Sequence, residues 1–284
     1  MHCGPLRLFL LAAFAWISLN SVSLVPSAQA LDIPRWWYYG QTAADLTQLF
    51  NQNNARATVI RVQDPKVPTF DVSMVQNTDN FASAWWWWWG VDANSIGPLL
   101  KNPNKRLISI DPYETPQGLR FVIVTVPNDG PQDRAWWWYV GVDEDTVRRH
   151  LATNNARLID ARPYVENGKK LYAVIMIANT GADHKNSEWW VGATPDFIAT
   201  RFPAGLRVAR FNPDPSGDWD AILVQPGSES WWWWYGFNGN QVLQHIVDDN
   251  SRLIDISPYL VNGAWEFASV EIGDNSPPQG GFEI

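Results

Sequence analysis

The 284-residue chain has a single cysteine, Cys3, and lacks the common short motifs of catalytic and nucleotide-binding sites. It contains no Gly-x-Ser-x-Gly, no His-Glu-x-x-His, no phosphate-binding glycine loop and no dinucleotide fingerprint, so no motif of this kind indicates an enzyme. Basic residues are scarce, since 21 Lys and Arg stand against 29 Asp and Glu, a net charge of −8. This balance disfavours nucleic acids and anionic membranes as partners.

The first 30 residues predict a secretory signal peptide. Arg7 supplies a positive charge, the stretch from Leu6 to Leu19 is mostly apolar, and Ala28-Gln29-Ala30 is a small-x-small cleavage site. We expect cleavage after Ala30 and a secreted or periplasmic protein without cysteine, disulfides or membrane contact. The alternative is an uncleaved membrane anchor, for which the apolar stretch is short.

Tryptophan, in contrast, is abundant, with 19 residues, and most of them fall into five short aromatic runs before a glycine. The glycines are spaced by 50, 51, 51 and 44 residues, a regularity that marks a tandem repeat. We therefore predict a single domain of five units, followed by a disordered Pro/Gly-rich tail at 275–284. The predicted units are 31–79, 80–130, 131–181, 182–226 and 227–274, and their glycines are Gly40, Gly90, Gly141, Gly192 and Gly236.

Each unit has the pattern of a strand, a helix and two further strands. The aromatic run is the first strand, and a residue of the type that caps helices follows two positions after its glycine. Apolar residues then recur at helical spacing, for example Leu46, Leu49 and Phe50. An arginine opens the second strand, which turns through a hairpin into the third. The predicted caps are Thr42, Asp92, Asp143, Thr194 and Asn238, with capping boxes to Asp45 and Gln241.

These units predict an α/β repeat fold. Because no single unit can bury its own core, we expect the five β-α-β-β units to form one continuous curved sheet. The sheet would close into a barrel or half-barrel, with the helices on its outer face.

The aromatic runs have two interpretations. Side chains alternate between the faces of a strand, so a run that is aromatic throughout predicts a strand covered on both faces. Burial of one aromatic side chain removes about 150–250 Å² from water, roughly 4–6 kcal/mol in gross terms, which favours a core role. The alternative is that one face of a few aromatics lines an open groove and stacks on sugar rings or an extended chain.

The segment from Trp136 to Gly181 carries a family resemblance. It combines Trp-Trp-Trp-Tyr-x-Gly, a helix, Asn-Asn-Ala-Arg-Leu-Ile-Asp, Pro-Tyr, a glycine and Leu-Tyr-Ala-Val-Ile-Met-Ile-Ala-Asn-Thr-Gly. This pattern resembles the Trp-rich tandem repeats of polyglycine hydrolases and related bacterial proteins. The resemblance implies a barrel-like α/β domain that precedes a separate β-lactamase-like serine hydrolase domain. This chain has no Ser-x-x-Lys motif, so the peptidase activity does not carry over.

The order of elements predicts where a ligand would bind. The first strand ends where the helix begins, and the hairpin lies at the same end, so one rim collects helix N-termini and hairpin tyrosines. Ligands of open α/β sheets bind at the carboxyl ends of strands, which is this rim. The candidate ligand-binding residues are Tyr39, Trp89, Asp92, Tyr113, Asp143, Tyr164, Tyr235, Asn238 and Tyr259.

Three further groups of polar residues recur or cluster in ways that can indicate a site. One loop has oxygen-bearing side chains at alternate positions, as in the first half of a calcium loop, but it lacks the closing glutamate and also fits a plain hairpin. His150 and His245 share a helix position, for which a structural role is favoured over a catalytic pair. Asp160 and Asp255 follow Arg157 and Arg252 by three residues, which favours structural Arg–Asp bridges and a separation too large for paired acid–base work. The candidate calcium ligands are Asn212, Asp214, Ser216, Asp218 and Asp220.

The sequence therefore leaves three hypotheses for function. The first is a secreted, non-catalytic module that binds an extended peptide or polysaccharide through the aromatic rim, without a cofactor. The second is a hydrolase whose catalytic residues the sequence does not identify. The third is a structural or accessory domain that works with a separate serine hydrolase chain.

Overall fold

A computed structural model describes residues 34–78, 82–101, 104–130, 133–214 and 218–273. The predicted signal peptide and the predicted tail lie outside these residues. Within them, five repeated units are present, each built from a strand, a helix and a two-strand hairpin. No helix in this part of the chain is long and apolar enough to cross a membrane.

The elements of the five units follow one another in the predicted order. Units one and two contain β1 (Arg35–Gln41), α1 (Ala43–Asn53), β2 (Ala55–Asp64), β3 (Thr69–Gln76), β4 (Trp86–Val91), α2 (Ala93–Leu100), β5 (Lys105–Thr115) and β6 (Gly118–Pro127). Unit three contains β7 (Trp136–Val142), α3 (Glu144–Asn154), β8 (Ala156–Glu166) and β9 (Lys169–Ala178). Units four and five contain β10 (Ser187–Ala193), α4 (Pro195–Ala199), β11 (Arg207–Pro213), β12 (Trp219–Val224), β13 (Trp231–Phe237), α5 (Gly239–Asp248), β14 (Ser251–Val261) and β15 (Ala264–Gly273).

The helices begin at the predicted caps. Each of the five cap side chains accepts a hydrogen bond from a backbone N–H in the first turn, which satisfies a donor that has no partner inside the helix. Thr42 with Asp45 and Asn238 with Gln241 form the predicted capping boxes. Local sequence chemistry therefore fixes the start of every helix.

The glycine of each aromatic run forms a bulge at the end of the first strand. All five have φ between 62 and 77°, a left-handed conformation that glycine adopts without strain. The pairing with the third strand shifts at this point in every unit, for example between Tyr139 and Val142 in β7. The bulge turns the chain from the strand into the helix cap two residues later.

The prediction of one continuous α/β sheet is wrong. The described residues form five separate antiparallel sheets of three strands, mostly β in content, and they form no closed barrel. In every sheet the third strand is central and the first and second strands are its edges, as in the order β1-β3-β2. The helix and hairpin thus connect strands of the same sheet, and no ladder of backbone hydrogen bonds joins one described sheet to the next.

The five sheets are arranged in a ring, like the blades of a propeller. Each second strand contacts the second strand of the next unit, in the cyclic order β2, β5, β8, β11, β14 and back to β2. The ring closes between units five and one, where the Ser73 hydroxyl donates to the carbonyl oxygen of Leu253 at 2.9 Å and the Trp37 ring meets Phe267 edge-on at 5.5 Å. The second strands are therefore innermost.

The helices lie between neighbouring sheets and not on one outer face, which corrects the second part of the fold prediction. Phe50 of α1 contacts Trp85 and Trp87 of unit two at ring-centroid distances of 4.7 and 5.9 Å. Phe202, which follows α4, contacts Trp231 and Trp233 of unit five in the same way. Each helix thus fills the wedge between its own sheet and the aromatic strand of the following unit.

This arrangement covers both faces of the aromatic strands, as predicted, although the second cover is a neighbouring unit and not a barrel wall. Trp37 and Trp189 are buried, the other tryptophans of the described aromatic runs are half-buried, and Trp89 is exposed. Side chains on the opposite strand face meet the helix of their own unit, as in the stacking of Tyr139 on His150 at 3.8 Å. The indoles therefore join three elements at each boundary between units.

The innermost strands are sheet edges with unpaired backbone groups, and buried side chains satisfy several of these groups. The N–H groups of Val62, Ile110 and Phe211 donate to carboxylates of the following unit at 2.8, 3.1 and 3.1 Å. Arginine side chains donate to carbonyl oxygens, as Arg210 does to Ile254 at 2.6 Å. Side chains thus do here what a neighbouring strand would do in a continuous sheet.

These side chains form a charge-balanced group that we call the axial cluster. Arg61 of unit one contacts Asp160 of unit three at 3.0 Å and Asp255 of unit five at 2.8 Å. Burial alone lowers the pKa of Arg61, but the surrounding carboxylates outweigh it and raise this pKa above its ordinary value. The cluster comprises Arg61, Arg162, Arg210, Asp111, Asp160 and Asp255.

The axial cluster confirms a structural role for Asp160 and Asp255 but corrects their partners. The prediction considered only the arginines of the same strand, whereas Arg61 of unit one contacts both carboxylates. The expectation that they lie far apart is also wrong, since one guanidinium contacts both. The inner strands of non-neighbouring units meet at the axis, which brings equivalent positions together.

We predict that Asp255→Asn lowers the free energy of unfolding by about 3 kcal/mol or more, because it leaves buried arginines with too little negative charge. Urea denaturation measures the change. The matched control is Glu144→Gln, which removes the exposed Glu144–Arg148 pair and should cost less than about 1 kcal/mol. Equal effects of the two substitutions would contradict the role of the axial cluster.

Candidate functional site

The predicted rim exists as a shared end of the five sheets. In units two, three and five the N–H of the bulge glycine donates to a hairpin tyrosine hydroxyl, each at 2.8 Å. This bond joins the hairpin to the end of the first strand, directly before the helix cap. The pairs are Gly90 with Tyr113, Gly141 with Tyr164 and Gly236 with Tyr259.

The hairpin tyrosines stabilise this rim. Tyr113 and Tyr164 are buried, and Tyr259 is half-buried. Burial raises the pKa of all three hydroxyls, to about 12 for Tyr259. Their hydroxyl oxygens accept hydrogen bonds from the bulge glycines, which is a structural role. Direct ligand contact by these three tyrosines stays a prediction.

Units one and four lack the Pro-Tyr pair and use a carboxylate in its place. The N–H of Gly40 donates to Oδ1 of Asp71 at 2.9 Å, and the N–H of Gly192 donates to Oδ1 of Asp220 at 3.0 Å. Both aspartates come from the third strand and are buried. Sequence reasoning missed this exchange, although the missing tyrosines coincide with aspartates in the third strands of the same two units.

Three of the predicted site residues form an exposed aromatic group. Tyr39, Trp89 and Tyr235 retain 41, 50 and 42% of their accessible surface. They occupy the same repeat position, directly before the bulge glycine, in units one, two and five. These units are consecutive around the ring, so the three side chains lie on one arc of the rim, which we call the aromatic arc.

Each member of the aromatic arc rests on the preceding unit. The Trp89 ring lies 6.1 Å from Phe70, and the Tyr235 ring lies 5.9 Å from Phe211. Tyr39 covers Gly239 at the start of α5 so closely that a Cβ there would lie 2.6 Å from its ring. Part of each ring therefore contacts the protein while another part stays open to solvent.

Asp92, Asp143 and Asn238 lie at the rim as helix caps. Hydrogen bonds from Ser95 hold the pKa of Asp92 below its ordinary value, and bonds from Thr146 do the same for Asp143. Asp143 and Asn238 are exposed and Asp92 is half-exposed. The capping role is shown by these contacts, and ligand binding by the three residues stays a prediction.

An open cleft of about 280 Å³ lies at the boundary of units three and four. The acidic first turn of α3 forms one wall, and the residue before Gly192 forms another. Here the arc position holds Val191 and not an aromatic residue. The lining residues are Asp143, Glu144, Asp145, Lys170, Tyr172 and Val191.

Lys170, which lines this cleft, contacts two of the candidate calcium ligands. Its ammonium contacts Asp214 and lies 3.1 Å from Asp220, whose other oxygen accepts from the Tyr172 hydroxyl at 3.1 Å. Asn212 instead donates to Ala161 at 2.9 Å, in the interior of the ring. Asn212 therefore has a different set of contacts from the two aspartates.

The calcium hypothesis stays a prediction. Ser216 lies outside the described residues, and Asp218 is exposed. Within the described part of the chain no group of three or more His, Cys, Asp and Glu residues could hold a metal ion. Lys170 supplies positive charge where a cation would bind, and sequence reasoning did not identify this lysine.

His150 and His245 have the predicted structural positions. His150 stacks on Tyr139, and His245 stacks on Trp234 at a ring distance of 4.2 Å with the planes 15° apart. Each histidine thus packs on the aromatic strand of its own unit. These contacts explain why the two share a helix position.

We predict that Lys170→Met destabilises the protein and that calcium restores part of the loss, because Asp214 and Asp220 then lose the positive charge of the Lys170 ammonium. Thermal melts with and without calcium chloride measure both effects. Lys169→Met, which changes the exposed neighbouring lysine, should leave the melting temperature nearly unchanged in either condition. A wild-type protein that is stabilised by calcium as strongly as Lys170→Met would show that Lys170 does not occupy the cation position.

Comparisons with known proteins give no further identification: no protein-family model matches the chain, and no curated protein matches it.

Proposed function

We propose that this protein is a secreted, non-catalytic module that binds an extended polymer, a peptide or a glycan, through its aromatic rim. The observation that supports the proposal most directly is the aromatic arc. Exposed apolar surface that polar residues surround commonly marks a binding site, and here large rings are exposed at one repeat position in three consecutive units. The resemblance to Trp-rich repeats of polyglycine hydrolases points to the same extracytoplasmic setting and stays part of the proposal.

The packing under the aromatic arc favours binding of a long, flat ligand. Since Phe70, Phe211 and Gly239 support the rings from below, little side-chain freedom is lost when a ligand stacks on them. Consecutive units repeat the ring position, so a polymer could contact one ring per unit. The net charge of −8 favours a neutral or cationic polymer over an anionic one.

The chemistry of a catalytic site has no comparable support. The strongest groups of carboxylates lie in the axial cluster, where Asp160 and Asp255 retain 0 and 1% of their surface. Such buried residues cannot reach a polymer at the rim. An accessory role beside a separate serine hydrolase rests on the resemblance alone and is the alternative to independent binding.

We predict that replacing Tyr39, Trp89 and Tyr235 together by alanine weakens binding at least about tenfold, because each ring contributes about 0.5–1.5 kcal/mol of stacking. The probes are insoluble chitin, cellulose, peptidoglycan and an immobilised glycine-rich peptide, used in pull-down titrations. Thermal melts verify that the variant is folded.

The matched control is Val247→Ala, which removes an exposed apolar side chain from the last turn of α5, at the end of the helix opposite its cap. It should bind like the wild type. Equal binding by the triple variant and the wild type would refute the aromatic arc as the site. Absence of binding to every probe would favour the accessory role.

A further inference from the structure

Asp71 is a fully buried acid directly beneath the rim of unit one. It lies on β3 and retains none of its accessible surface. Its Oδ1 accepts from the N–H of Gly40, and its Oδ2 has no hydrogen-bond partner among the residues that the structure describes. In units two, three and five the same glycine is held by a neutral hydroxyl, so unit one has an ionisable group where three sister units have none that ionises near neutral pH.

Among the residues that the structure describes, no cation contacts Asp71 in the way that Lys170 contacts its counterpart Asp220. Asp220 in unit four is contacted by Lys170, whereas the corresponding position before Asp71 in the ring is occupied by Trp265. Arg61 lies opposite Asp71 in the β2–β3 register, but its guanidinium contacts Asp160 and Asp255 at the axis.

The other groups that the structure places beside Gly40 or Asp71 are a neutral amide and a second acid. Gln63 on β2 approaches Gly40 on β1, with its Oε1 3.1 Å from the position of a Cβ there. Asp111 of unit two is itself a carboxylate, so it does not offset a negative charge on Asp71. It accepts a hydrogen bond from the N–H of Val62 and lies 3.4 Å from Arg162. A negative charge on Asp71 would therefore be buried next to a second acid.

We propose that Asp71 is a pH-sensitive latch for the aromatic rim of unit one. In its neutral form it accepts from Gly40 and keeps the end of β1, with the adjacent Tyr39, against the sheet. The ionised form accepts more strongly from Gly40, but one N–H does not offset the buried charge, which is relieved only when the segment from Tyr39 to Thr42 opens and admits water. The proposal concerns the free protein and does not need a ligand.

The energetics support this direction. The pKa of Asp71 is raised to about 8, mainly by burial and in smaller part by the charge of Asp111, and this value already includes the opposing effect of the Gly40 N–H. The folded-state pKa of Asp71 lies above the ordinary aspartate value of about 3.9. The neutral carboxyl therefore contributes its full stabilisation of the folded state below a pH of about 3.9. This contribution is lost progressively as the pH rises from about 4 to about 8.

The test compares the wild type with Asp71→Asn, which keeps an oxygen for Gly40 and cannot ionise. We expect the melting temperature of the wild type to fall between pH 5 and pH 9 more steeply than that of Asp71→Asn. Asp64→Asn, which changes a half-buried acid on the β2–β3 hairpin, should follow the wild type. Identical pH profiles for the wild type and Asp71→Asn would overturn the latch.

A second measurement tests the latch at the Gly40 amide itself. Amide hydrogen exchange of Gly40, corrected for the intrinsic effect of pH, should accelerate above pH 8 in the wild type and not in Asp71→Asn. Unchanged protection of Gly40 across this range would overturn the proposal even if the melting profiles differ. Both measurements are made without ligand, so their outcome is independent of whether the proposed polymer binding is confirmed.

Discussion

The fold depends on how the five innermost strands satisfy their free edges. A strand at the edge of a sheet leaves backbone N–H and C=O groups without partners, and burial of such groups is costly. In this protein the carboxylates of Asp111, Asp160 and Asp255 accept from inner-strand N–H groups of the preceding unit. The axial cluster therefore replaces the backbone ladder that a closed barrel would have. It also explains how separate sheets can meet at one axis without merging.

The same cluster makes the units unequal at the axis. Positions that are equivalent in the repeat carry Val59, Ser109, Asp160, Arg210 and Asp255 in the five second strands. Arg61 contacts residues from units two, three and five, so its partners cannot be supplied by its own unit or by one neighbour. Since a buried charge without its partners is strongly unfavourable, units exchanged in order would leave charges unmatched. The ring thus specifies its own order through charges, while the apolar contacts between units are nearly interchangeable.

The aromatic strands supply those interchangeable contacts. A helix of one unit and the indoles of the next fill each wedge, as Phe50 with Trp85 and Phe202 with Trp231 show. No unit can bury its helix without its neighbour, which is the physical reason for a tandem array. The ring closure removes the need for capping units, because Trp37 of unit one packs on Phe267 of unit five. Tryptophan is abundant because a wedge between diverging sheets needs large rings to fill it.

Much of each unit could be predicted from the sequence, and the relation between units could not. The caps, the helices and the bulge glycines depend on residues within a few positions of one another, so a residue such as Asp143 is informative by itself. The separation into five sheets depends on which strands pair, and alternation of side chains is the same in one large sheet and in five small ones. The charged residues of the second strands were the available signal, because Arg61 and Arg162 are unusual in buried strands. Their partners could not be assigned, since they lie 99 and 93 residues away in the chain.

The candidate site follows from the places where the repeat is not maintained. In units two, three and five a tyrosine hydroxyl accepts from the bulge glycine, and this structural contact is the same in all three. In unit one Asp71 takes that role with no cation on it among the described residues, and in unit four Asp220 takes it with Lys170. The arc position is aromatic in units five, one and two and is valine in units three and four, where the cleft lies. Packing between units does not require these differences, because units with either residue have the same strand order and the same bulge. Differences that the fold does not require are where function can reside, which places the aromatic arc and the acid beneath Tyr39 at the centre of the proposed binding role.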